Sequence, residues 1–186
     1  MEIAKTSRCA AVLAALLLGI APSWAAPADT RLAAFETELE ANPSATAVLQ
    51  HWCDAHAAPG TRIVARQVQL APAPPPDEAR QALMLVPGEA VRYRRVQLMC
   101  ADSVLSNADN WYLPGKLTDA MNDTLDHSQT PFGAAVAALH FSRRNLETKY
   151  LTSKQDVLRH SAVLLTDQGV PFSFVVETYT RAVLGP

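Results

Sequence analysis

The sequence predicts an α+β domain: a single, mostly antiparallel sheet of five or six strands, with helices packed on one face. Three observations predict it. Apolar residues over 31–57 recur at helical spacing. Those over 90–183 mostly alternate, as half-buried strands do. The two patterns are segregated along the chain rather than interleaved, which separates this class from a parallel βαβ order.

The elements follow in order. Asp29 or Thr30 caps a helix over 31–41 that carries Leu32, Phe35 and Leu39. Asn42-Pro43 restarts the chain, with Asn42 as N-cap and Pro43 in the first helical position. The second helix runs to residue 57 with Val48, Trp52 and Cys53 as its apolar stripe, and Pro59-Gly60 ends it. Residues 61–70 alternate and are rich in Val and Ile, a strand. Pro72, Pro74, Pro75 and Pro76 make a stiff extended loop. A short segment over 83–86 then leads to a turn at Pro87-Gly88. Strands over 90–101 and 104–113 flank a turn at Asp102-Ser103. Thr118 caps a helix with Met121, Asn122 and Leu125. Thr130, as N-cap before Pro131, opens another short helix that contains Gly133. Strands over 138–151 and 157–166 and a turn at Asp167-Gln168-Gly169 come next, and the alternating segment 172–183 completes the sheet.

The first 25 residues read as a secretory signal peptide. Lys5 and Arg8 precede an apolar run from Ala10 to Ile20, shorter than the roughly 20 residues of a membrane helix. Ser23-Trp24-Ala25 supplies small residues at the positions signal peptidase reads. The expectation is cleavage after Ala25, a periplasmic or secreted protein, and one domain over 26–186. The alternative is a retained anchor, which the absence of a cationic flank after the run disfavours. Cys9 precedes the run, where a lipidated cysteine would follow it.

The formal charge is −2, or −3 without Glu2, Lys5 and Arg8. Neither value suits nucleic acid or anionic lipid. No second long apolar run follows, so no membrane association is expected after cleavage. Cys53 and Cys100 remain in the mature chain. An oxidising compartment permits a disulfide between them, and two small buried thiols fit the sequence equally well. Oligomeric state does not follow from the sequence.

There is no GxSxG elbow, phosphate loop, GxGxxG or CxxC. His51 and His56 stand five apart on a helix, where the helical zinc signature places its histidines four apart. No metal site is expected.

One ordered series of motifs remains. It starts with Tyr93-Arg94-Arg95-Val96-Gln97-Leu98-Met99-Cys100-Ala101-Asp102, followed by Trp111-Tyr112-Leu113-Pro114 and Thr130-Pro131-Phe132-Gly133. Arg159-His160-Ser161 comes next, then Gly169-Val170-Pro171 and the strand with Glu177. In this order and spacing the chain resembles the chorismate lyase family, whose fold is shared by the ligand-sensing UTRA domains of some bacterial regulators. The resemblance spans most of the chain beyond residue 25. It implies removal of an enolpyruvyl group as pyruvate, leaving 4-hydroxybenzoate, with no metal or organic cofactor. It implies that Arg95 holds a carboxylate, that Glu177 donates the proton and that Phe132 lines the pocket. A guanidinium fork suits a carboxylate, and a carboxyl among apolar neighbours suits a proton donor.

The residues alone leave other readings open. By alternation Arg92 and Arg94 share one solvated face and Arg95 takes the other. Arg95 and Glu177 could simply pair, and a partly exposed face would account for Glu177 without chemistry. The expectation is therefore an exported lyase acting on chorismate or a related small aromatic or enolpyruvyl carboxylate. Its alternatives are a non-catalytic module binding such a carboxylate and an envelope accessory protein with a closed pocket.

Overall fold

In the computed structural model, which describes residues 28–185, two helices come first. They are α1 (Ala28–Ala41) and α2 (Ala45–His56). Then come β1 (Val64–Gln67), the short helix α3 (Asp77–Ala82) and the hairpin of β2 (Arg92–Cys100) and β3 (Ser103–Tyr112). Helices α4 (Asp119–His127) and α5 (Phe132–Ala135) follow, and then β4 (Ser142–Tyr150), β5 (Asp156–Leu165) and β6 (Pro171–Thr180). The expected signal peptide lies outside the described residues. Among those described, no helix is long and apolar enough to cross a membrane.

The strands form one antiparallel sheet in the order β1-β2-β3-β6-β5-β4. Successive side chains point to opposite faces, and paired residues share a face. One face therefore carries Arg94, Val96, Ala108, Asn110, Val175, Glu177, His160 and Ala162. The other carries Tyr93, Arg95, Asp109, Trp111, Phe174, Val176 and Val163.

Four helices cover the first face. Phe35 and Leu39 of α1 and Val48, Leu49 and Cys53 of α2 pack on Val96, Leu98, Leu158 and Tyr179. Toward the other end Met121, Leu125 and Phe132 pack on Tyr112, Leu164 and Phe172. The fifth helix, α3, lies on the opposite face, where Ala79 and Leu83 meet Trp111, Val163, Phe174 and Val176. The proline-rich segment runs along it, and Trp111 Nε1 donates to the Ala73 carbonyl at 3.0 Å. Sequence reading missed α3 because six residues are too few to display a period. Its signals are local: Pro76 at the N-cap, and Asp77 and Glu78 in the first turn, where the helix dipole favours acids.

Other boundaries shift for identifiable reasons. Helix α1 already begins at Ala28, so Asp29 and Thr30 lie inside it rather than capping it. The Asn42 side chain donates to the Glu38 carbonyl at 2.8 Å and so closes α1. Ser44 caps α2 instead, accepting from the Ala47 amide at 3.3 Å. Thr118 caps α4, but Pro131 rather than Thr130 stands at the N-cap of α5. Strand β1 occupies only the middle of 61–70, and residues 137–139 form a 3-10 turn ahead of β4. The β2–β3 turn falls at Ala101-Asp102, with Ala101 left-handed at φ 48°. Cys53 and Cys100 are joined in a disulfide, Cα atoms 5.7 Å apart, which ties α2 to the end of β2.

Candidate functional site

The helical layer does not seal the sheet. A cleft opens between the N-terminus of α2 and the segment around α5. Its mouth, about 490 Å³, is lined by Ser44, Thr46, Gln50, Arg62, Gly133 and His140 among others. It continues into a chamber of about 30 Å³ bounded by Asn110, Phe132, Phe141, Arg143, Leu164 and Glu177. Mouth and chamber share Pro43, Ser44, Thr46, Gly133 and Phe141. Two local choices create the space. Ala108 and Val175 keep the floor low, and Gly133 lacks a side chain where a Cβ would come 3.2 Å from Ser44 Oγ and 3.6 Å from Phe141 Cζ.

Glu177 stands at the floor of the chamber, on the central strand, opposite Ala108 on one side and His160 on the other. Arg143 Nη2 donates to Glu177 Oε2 at 2.8 Å, and Tyr179 OH donates to the same oxygen at 2.9 Å. Both members of the ion pair are 5% exposed. Arg143 Nε is held from the other side by Asn145 Oδ1 at 3.0 Å. Both of these bonds to Glu177 fall on Oε2 and those of Arg143 use Nε and Nη2, and Glu177, Arg143 and Asn110 all border the chamber. The floor thus presents an acceptor, a donor and an amide that is both.

The cluster's electrostatics follow from burial. Burial works against charge on Arg143, but the Glu177 carboxylate, Tyr179 and the hydrogen bond to Glu177 together outweigh it and lift the pKa above the ordinary arginine value. Burial, reinforced by Glu177, pushes Tyr179 well above the usual phenol range, so it remains a donor. His160 is fully buried, and neither ring nitrogen has a partner. Burial first, and the charge of Arg143 second, depress its pKa, with Glu177 pulling the other way.

Glu177 and Phe132 therefore meet in one cleft, but Arg95 does not join them. It lies on the opposite face, 38% exposed, 3.6 Å from Asp109, whose carboxylate also accepts from Tyr93 OH. Alternation along β2 gives the faces of these arginines but not their exposure. Arg94, expected to be solvated, is 6% exposed; of Arg92 and Arg94, Arg92 alone reaches water, bonded to Asp126 at 2.7 Å. An arginine holding a carboxylate at position 95 beside a proton-donating Glu177 is thus excluded by which face each occupies. The cation beside Glu177 is Arg143. Sequence reading also missed Tyr179, His160 and Asn110. Glu177 and Tyr179 share a face by simple alternation, and His160 lies within a quoted motif. Arg143 is opposite in parity to Arg144, the same signal that drew attention to Arg95.

The fold defines a class: one antiparallel six-stranded sheet with helices, the α+β fold of chorismate lyase/UTRA-like domains. PhnF from Mycobacterium smegmatis is similar in structure, with a TM-score of 0.53 and 10% identity over 74% of this chain and 63% of that one. The effector domain of PhnF from the same organism gives 0.51 and 10% identity, covering 65% of this chain and 82% of that one. In sequence, the chain is 40% identical over 177 residues to the uncharacterized protein y4mC of Sinorhizobium fredii, covering 82% of this chain and 75% of that protein. It belongs to the family of that protein. No protein-family model matches it.

Proposed function

We propose that this protein is an exported, non-catalytic module that binds a small polar organic molecule, such as a small aromatic carboxylate, in the cleft between α2 and α5. The observation that carries this reading is the convergence of three polar side chains, Glu177, Arg143 and Asn110, at the inner end of a cleft walled by Phe132, Phe141 and Leu164. A few convergent polar groups on an apolar wall are the usual make-up of a ligand pocket. The mouth has room for a small organic body, whereas the chamber holds little more than one or two waters or a ligand's head group. The effector domain of PhnF shares the fold, and that likeness supports a binding role by analogy alone. The apolar run Ala10–Ile20 followed by Ser23-Trp24-Ala25 supports export.

Turnover of chorismate is the second reading, favoured by Glu177 and Phe132 sharing the cleft. Against it, the cation at Glu177 among the described residues, Arg143, is already bonded to that carboxylate. One experiment separates the two. The mature protein is incubated with chorismate, and a panel of small organic acids is screened by thermal shift on the wild type, Asn110→Leu and Gly133→Val. The expected result is stabilisation of the wild type by a panel member, its loss in both variants, and no 4-hydroxybenzoate. Formation of 4-hydroxybenzoate and pyruvate would restore the lyase reading. Stabilisation that survives both substitutions would move the site out of the cleft.

A further inference from the structure

We propose a second binding site, for a small oxyanion, on Arg94 and Arg92. A groove of about 410 Å³ runs between residues 67–72 and the start of β2, and Gln67, Arg92, Arg94, Tyr112, Leu125 and Asp126 are among its lining. It shares no lining residue with the cleft or its chamber.

Arg94 is the unusual member. It is 6% exposed, and its Nη2 donates to the carbonyls of Ser128 at 3.4 Å and Thr130 at 3.1 Å. Its Nε and Nη1 have no partner, and among the described residues no carboxylate is bonded to it. Asp126, the one acid lining the groove, is bonded to Arg92. The carboxylate nearest Arg95 is Asp109, on the other face. Three arginines, Arg92, Arg94 and Arg95, thus line the groove against the single carboxylate of Asp126, and Arg95 is drawn toward Asp109. A guanidinium withdrawn from water with two nitrogens unsatisfied is costly unless an acceptor of opposite charge meets it. Its planar fork fits the paired oxygens of a carboxylate or a phosphate, and Arg92, which already serves Tyr112 and Asp126, has further N–H donors.

Neither free nitrogen of Arg94 touches solvent, so entry requires a side chain to yield. Gln67 is placed to do so. Its Nε2 makes only long bonds, 3.2, 3.3 and 3.5 Å, to the carbonyls of Leu125, Asp126 and Ser128. Weak bonds of this length are cheap to exchange for a charge-assisted one.

The test titrates the full chain with inorganic phosphate and, separately, with acetate at constant low ionic strength, against potassium chloride as control. Binding is followed by calorimetry and by thermal shift. The expected result is saturable binding of at least one of the two anions, with the two arms showing which oxyanion is preferred. Affinity should fall about tenfold or more in Arg94→Met. It should also fall in Arg92→Gln and stay unchanged in Gly133→Val, which narrows the cleft. Arg94→Met replaces a buried charge by an apolar chain of similar length and is expected to fold; should it not, Arg92→Gln at the exposed position decides alone. Absence of saturable binding, an equal shift with chloride, or full affinity in the decisive variant overturns the proposal.

Discussion

Glu177, Arg143 and His160 are single residues whose behaviour burial sets. Removing one partner of a buried ion pair leaves the other charged in a dry site. Arg143→Ala is expected to cost about 3–5 kcal/mol in urea unfolding, whereas the double variant Arg143→Met/Glu177→Leu recovers most of that. A single loss no larger than that of an exposed pair would show that water reaches the site. His160 supplies a pH dependence. Its folded pKa lies below the unfolded value of 6.5. Below that pH the unfolded chain takes up a proton that the folded one refuses, so stability is full at neutral pH and falls as pH drops through 6.5. The slope is at most about 1.4 kcal/mol per pH unit. Urea unfolding at pH 7 and pH 5 should show the fall, and His160→Leu should flatten it. At this scale the sequence was half legible. Glu177 and Phe132 were reached because ordered motifs mark them. Arg143 was not, because alternation names the face of a strand but not its reach. Its partner lies two strands away, past β5, where small Ala162 leaves the way open.

Helix α2 links several features at the scale of the element. Its N-terminus forms the lip of the cleft, and its C-terminal half is fastened to β2 through Cys53. Cross-linking residues 47 apart removes loop entropy worth about 4 kcal/mol from the unfolded chain. Cys53→Ala/Cys100→Ala should lose about that much in urea unfolding, and an unchanged midpoint under oxidising conditions would mean the cysteines do not pair in solution. Ser44→Ala should cost about 1 kcal/mol, the value of an N-cap side chain. Elements with a period were readable to within a few residues: the helix capped by Thr118 and the strands now called β2, β3, β5 and β6 stand close to where alternation put them. Elements fixed by packing were not. Helix α3 has local signals only at its N-terminus, and the packing of Ala79 and Leu83 over Trp111 and Phe174 leaves no period in six residues.

For the whole molecule, strand count was legible and strand order was not. Alternation assigns faces, but the pairing of β3 with β6 joins segments roughly 70 residues apart, such as Ala108 with Glu177. Nothing between them in the sequence records that distance. The arrangement predicts where the protein opens first. Edge strands β1 and β4 have a neighbour on one side only, and β4 carries a bulge at Leu146 with most of its residues exposed. Native-state hydrogen exchange should find β6 and the facing amides of β3 and β5 slowest and β4 among the fastest. Uniform protection across the sheet would contradict it. The central position of β6 also has a consequence in time. A ribosome delivers β1 to β5 before β6 exists, and without it β1-β2-β3 and β4-β5 are two separate pieces with no hydrogen-bonded strand between them. The sheet is therefore completed only by its last strand, and that same strand delivers Glu177 to the floor of the cleft.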